Sequence, residues 1–236
     1  MLNAMAGKSD DDPFTWNIPF AQLPDYAKSC EDTNLAGIAI GIPRNTLSEI
    51  AAPVMAAFES AIASLGGLGA NIKDETNIPS AKEHKELSED EEFFVITAEF
   101  KSDLAAYFAT LQNNPHKLSS VADLIEFIKT HPEEEYPDRD IERFLRTQNE
   151  DSDVTSAKFK EAVEREDRLY RKEGILGVMD ELNLDVIAVP ANASSPSAAA
   201  AALGLPIITV PLGFYPEDTE VKKTKWDLVE TAPGIP

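Results

Sequence analysis

Residues 35–43 contain no polar side chain, and the run closes on Gly41, Ile42 and Pro43. An apolar segment this short, bounded by glycine and proline, buries both of its faces most readily as an inner strand of a parallel sheet. Such a strand needs a helix to return the chain. Pro53 suits a first helical turn, and Val54, Phe58, Ile62 and Leu65 recur at the spacing of one helical face before Gly66, Gly67 and Gly69. A second short strand is then expected over residues 70–75. Strand, helix and strand in this order make a βαβ unit, and the rest of the chain must be compatible with it.

The middle of the chain is expected to be helical. Phe93, Ile96, Phe100, Leu104, Tyr107 or Phe108, and Leu111 make a stripe over residues 91–112. Ser119 or Ser120 offers a cap for a helix burying Leu124, Phe127 and Ile128 and ending at His131 and Pro132. Residues 139–148 form a shorter amphipathic piece. Residues 156–182 read as one long helix, bent near Gly174 or Gly177. Strands are expected again over residues 185–190 and 205–213, joined by a loop and an alanine-rich helix. The whole, residues 1–236, is expected to be a single α/β domain with a mixed sheet flanked by helices.

Composition removes several classes of function. With 42 acidic against 21 basic residues the formal net charge is −21, which repels phosphate backbones and anionic membrane surfaces, so no nucleic acid or membrane partner is expected. The acidic runs lack the spaced ligands and glycine of a calcium loop, and His84, His116 and His131 lack the short spacing of a metal pair, so neither metal nor cofactor is expected. The lone Cys30 excludes an internal disulfide, suits a reducing, cytoplasmic location, and is expected to be buried or inert.

Several blocks, in order, resemble the amidase-signature family: residues 1–12, the strand of residues 35–44 ending in Arg44, residues 99–104, residues 120–127, and the alanine-rich run ending in Gly204 and residues 205–213. The resemblance implies hydrolysis of a carboxylic amide by a serine, cis-serine and lysine triad, with backbone amides holding the oxyanion, on a small-molecule amide substrate. The glycine- and serine-rich stretch of that family does not occur among these residues, and the matching region begins at Met1. The expectation is therefore an incomplete amidase-like domain, with the catalytic segment upstream, the C-terminal end also truncated, no catalytic residue in this chain, and no activity on its own. Ser194 and Ser195 precede Pro196 and lack flanking glycines, so they are not expected to be nucleophiles. Asn192, Ala193, Ser194 and Ser195 are instead candidates for the wall of a substrate pocket, because their loop leaves a strand where α/β sheets bind ligands. The competing expectation is a non-catalytic module that associates with a partner chain through an exposed sheet edge.

Overall fold

The computed structural model describes every residue except 21, 32, 225, 226 and 236, and leaves the side chain of Ser194 undescribed. Its centre is a three-stranded parallel sheet in the order β2-β1-β3, formed by β1 (Ala39–Gly41), β2 (Asn71–Lys73) and β3 (Val186–Ile187). Ile40 lies opposite both Ile72 and Val186, which fixes the register of the sheet. Among the described residues the α-helices are α1 (Leu2–Met5), α2 (Tyr26–Ser29), α3 (Ala52–Gly67), α4 (Ala81–Glu86), α5 (Glu89–Glu92), α6 (Phe94–Thr110), α7 (Val121–Thr130), α8 (Glu142–Arg146), α9 (Ala157–Glu166), α10 (Ile175–Leu182) and α11 (Ser194–Ala202). A short antiparallel ribbon, β4 (Lys222–Lys223) with β5 (Val229–Thr231), stands apart from the central sheet.

The α/β class and the first βαβ unit match the reading of the sequence, and the reason is visible in the packing. On one face of β1, Ile40 joins Ile42, Leu47, Ala193, and Phe58 and Ile62 of α3 in one buried cluster. On the other face, Ala39 packs with Val178 of α10 and Leu184. Alternate side chains of one strand thus enter two apolar layers, as a parallel strand requires. Gly41 has no room for a side chain: a Cβ there would come 2.5 Å from a methyl of Leu184 and 3.0 Å from Thr76. Beyond the sheet, Val121, Ile125, Ile128 and Ile141 form a helical cluster that Leu104, Leu124 and Phe127 complete.

Helix α7 starts where its chemistry dictates, with the Ser120 hydroxyl accepting from the Asp123 amide at 3.1 Å. The α6 stripe is displaced. The backbone leaves helical geometry at Phe93 (φ −98°, ψ 8°), and α6 restarts with Phe94, Val95 and Ala98 inward, leaving Ile96 and Tyr107 exposed. Phe100 and Leu104 turn to the other neighbours: Phe100 stacks on Phe144 at 5.9 Å, and Leu104 joins the α7 cluster. The expected long helix over residues 156–182 is broken rather than bent. Helix α9 runs into a π-helical turn (Asp167–Lys172), and the chain turns at Glu173 and Gly174 before α10.

The expected strand over residues 205–213 is not one. Ile207, Ile208, Val210 and Leu212 are exposed, Ile208 by 81%. Among the described residues no backbone hydrogen bond involves residues 206–214, and Pro206 and Pro211 have no amide hydrogen to give. The segment has the apolar, β-branched composition of an inner strand without a neighbour to pair with. Cys30 is likewise exposed, its thiol 3.4 Å from the Tyr26 carbonyl, and not buried as expected. No helix among the described residues is long and apolar enough to cross a membrane.

Arg44 ties the two first strands together from outside. Its guanidinium bonds Glu59 of α3 and Asp74 just after β2, the latter through Nη2 at 3.1 Å. Those bonds hold the Asp74 carboxyl below its ordinary value of 3.8. A carboxyl depressed on folding contributes stability above its unfolded pKa that is lost as pH falls through its folded value. Because Asp74 and Glu59 are about half exposed, screening keeps the effect small. Arg44→Ala is expected to lower stability by about 1 kcal/mol, and the gap between variant and wild type should close in chemical denaturation below pH 3.8.

Candidate functional site

In a parallel sheet all carboxyl ends lie at one edge, and here that edge collects three loops. After β1 the chain forms a 3-10 turn (Arg44–Thr46), after β2 it runs through Asp74 to Asn77, and after β3 it runs through Pro190 into α11. The order β2-β1-β3 sends the chain from β1 first to one side of the sheet and later to the other. Loops that part in this way leave a crevice outside the ends of β1 and β3, where open α/β sheets bind ligands. The Arg44–Thr46 turn is in contact with α11 at this edge.

The walls are held firmly. The Asn45 amide donates to the Asn77 side-chain carbonyl at 3.0 Å, and the Asn45 carboxamide spans the Ile78 backbone, donating to its carbonyl at 2.8 Å and accepting from its amide at 3.1 Å. Thr76 donates from its hydroxyl to the Lys73 carbonyl at 2.6 Å. On the opposite wall the Ala193 amide donates to Pro190 at 2.9 Å, and the Ser197 hydroxyl donates to the Ala193 carbonyl at 3.3 Å.

The four residues singled out in this loop take different positions. Asn192 is exposed at the turn, and Ser195 is half-buried in the first turn of α11. Ala193 is turned inward and is buried against Ile40, Ile42 and Leu47. Ser194 opens α11, which has no side-chain cap, so the amides of Ser194 and Ser195 have no intrahelical acceptor. Among the described residues the Ser195 hydroxyl makes no hydrogen bond, and no histidine or lysine is paired with it. The arrangement can present amide donors, a carboxamide and a hydroxyl to a polar ligand. Among the described residues it has no base beside the Ser195 hydroxyl to raise its nucleophilicity.

Sequence reasoning missed Arg44 and Asn45, which set the facing wall. Their signal was the single cation directly after the first apolar run, with Asp74 as the first acid after the second. A separate cleft of about 440 Å³ lies in the helical layer, floored by Phe93, Phe94 and Ala162 and flanked by Arg146, Lys158 and Arg165. Among the described side chains, those of Asn192, Ala193 and Ser195 do not line it, and its cations are already engaged: Arg146 with Asp90 at 3.1 Å, Arg165 with Glu91 at 3.6 Å and Lys158 over the Phe94 ring at 4.6 Å. The sheet-edge crevice is therefore the better candidate. His116 and His131, remote in sequence, meet edge to face at 5.5 Å. No group of three or more metal-ligating side chains occurs among the described residues.

Comparison with known proteins adds an independent line. A family model described as Amidase matches residues 1–219. A putative amidase of Arthroderma benhamiae is 34% identical over the full length of this chain, which spans 39% of that relative. Among solved structures, the native peptide amidase of Stenotrophomonas maltophilia superposes with a TM-score of 0.65 at 25% identity, covering 84% of this chain and 42% of that one. A peptide amidase in complex with the competitive inhibitor chymostatin superposes with a TM-score of 0.64, at the same identity and coverage. An amidase family protein from Bacillus anthracis, at 21% identity and a TM-score of 0.59, shares the fold, the match covering 84% of this chain and 37% of that one.

Proposed function

The chain belongs to the amidase family, and from that premise we propose that it forms one wall of an amide-binding site in a carboxylic amide hydrolase without itself supplying the nucleophile. The observation that carries this reading is the loop after β3. It places Asn192 and Ser195 at the carboxyl edge of a parallel sheet, opposite the Arg44–Thr46 turn, with no base beside the serine. The serine, cis-serine and lysine triad that the family resemblance implies finds no counterpart in these 236 residues, which contain no glycine-flanked serine pair. Backbone amides at the start of α11 and the Asn192 carboxamide suit the carbonyl and nitrogen of a small carboxylic amide, and the chain alone is inactive. A fluorophosphonate probe followed by intact mass measurement tests this. The expected mass is that of the unmodified chain; a single adduct that Ser195→Ala removes would show an activated serine and overturn the reading.

A second reading has its own observation. Ile207, Ile208, Val210 and Phe214 expose apolar side chains along a backbone that makes no hydrogen bond among the described residues, which suits strand addition by a partner chain. Under it the chain is a binding module, and light scattering should show an assembly that Ile208→Lys dissolves. A monomer in both forms would remove this reading.

A further inference from the structure

His84 sits where α4, the end of α5 and the π-helical turn meet. Its side chain is 95% enclosed, the Nε2 atom has no hydrogen-bond partner, and the ring lies 5.5 Å from that of Tyr170, tilted by 56°. The acceptor available is the Glu92 carboxylate, 3.8 Å away and partly open to solvent. Beneath the same contact, Tyr170 and Leu169 of the π-helical turn pack with Ala81 of α4 and with Ala199 and Ala200 of α11. One cluster therefore joins the histidine to the helix that begins with Ser194 and Ser195.

The charges around the ring can be named element by element. On α4 itself, Glu83 is bound to Arg168 and Lys85 to Glu49. Helix α5 offers Glu92 to the ring and the π-helical turn offers the Tyr170 hydroxyl; Glu166 and Arg165 of α9 act on that hydroxyl, and Glu99 of α6 acts on Glu166. The α11 residues of the cluster, Ala199 and Ala200, carry no charge.

We propose that His84 is an acid-operated latch: when its ring gains a proton it leaves Tyr170 for Glu92, parts α4 from the π-helical turn, and frees α11 and the loop of residues 192–195. The loop's relevance rests on the function proposed above; the latch does not. Burial outweighs the attraction of Glu92 and holds His84 below its ordinary 6.5. A base depressed on folding contributes stability that is full above its unfolded pKa and is lost as pH falls through 6.5 toward the folded value. Glu166 works the other way. Burial first, then Glu99, pushes it up to about 7 from 4.5, so its contribution is full below 4.5 and is lost as pH rises to 7. The two oppose one another in the same window, and a variant comparison must separate them.

The test is hydrogen exchange of α4 and α11 amides at pH 7.5 and 5.5 in the chain and in His84→Gln, each pair compared at one pH, with the His84 titration followed by NMR. Wild type should lose protection in both helices on acidification by about tenfold relative to the variant, and His84 should titrate below 6.5. Equal protection in the two proteins at pH 5.5, or a His84 that titrates at or above 6.5, would overturn the latch. Loss confined to α4 would overturn its link to α11. Should His84→Gln fail to fold, Glu92→Gln takes its place: it removes the carboxylate that receives the ring, and wild-type loss of protection no greater than the variant's at pH 5.5 would overturn the latch. The serine-probe result above bears on the amide-site reading and is independent of these outcomes.

Discussion

Alanine at Gly174 is expected to destabilise the chain by about 3 kcal/mol or more. Gly174 lies between the π-helical turn and α10 with φ −105° and ψ −153°, angles that any residue can adopt, so strain in its own backbone is not the reason. Space is the reason. A Cβ would stand 2.1 Å from the Tyr170 carbonyl oxygen and 2.4 Å from that of Leu169. Both obstacles are backbone, and both belong to residues whose side chains are buried in the cluster under α11. The methyl group cannot be accommodated by a side-chain rotation and must displace the turn itself. Urea denaturation reads the cost as a lower midpoint, and a midpoint within error of wild type would show that the break between α9 and α10 is not held as described.

Ile42→Ala is expected to cost about 2–5 kcal/mol. Ile42 has no exposed surface and fills the space between β1, α3 and Ala193. Removing three carbons loses their transfer from water and leaves a void that the flanking Leu47 and Phe58 can close only in part. The consequence extends to the candidate site, because Ala193 fixes the loop of residues 192–195 against this side chain. Calorimetry should show the drop in melting temperature, and the amides of residues 191–195 should lose protection more than those of α7, which belongs to a separate cluster. Uniform loss in both places would mean that Ala193 does not depend on Ile42.

These effects explain which parts of the fold could be read from the sequence. Residues 35–43 and the helix after Pro53 were legible because their signals are local: an unbroken apolar run, a proline in the first turn, three glycines at the end. Ser120 announced α7 for the same reason, since a cap depends on residues three positions apart. The α6 stripe was misread by one residue because Phe93 interrupts the helix, and periodicity does not reveal where a helix restarts. Residues 205–213 carry the composition of an inner strand, but a strand exists only with a neighbour, and neighbours are set by long-range pairing. The same limit applies at the site. The loop after β3 was legible from its position behind an apolar run, whereas the facing Arg44 turn, the inward Ala193 and the enclosed His84 depend on contacts between segments distant in sequence.

The direct test of the amide-site account is hydrolysis by the purified chain against a panel of small aryl and aliphatic amides, with Ser194→Ala and Ser195→Ala measured alongside. The account predicts no turnover above buffer for any of the three proteins, and turnover by the wild-type chain that either substitution abolishes would contradict it.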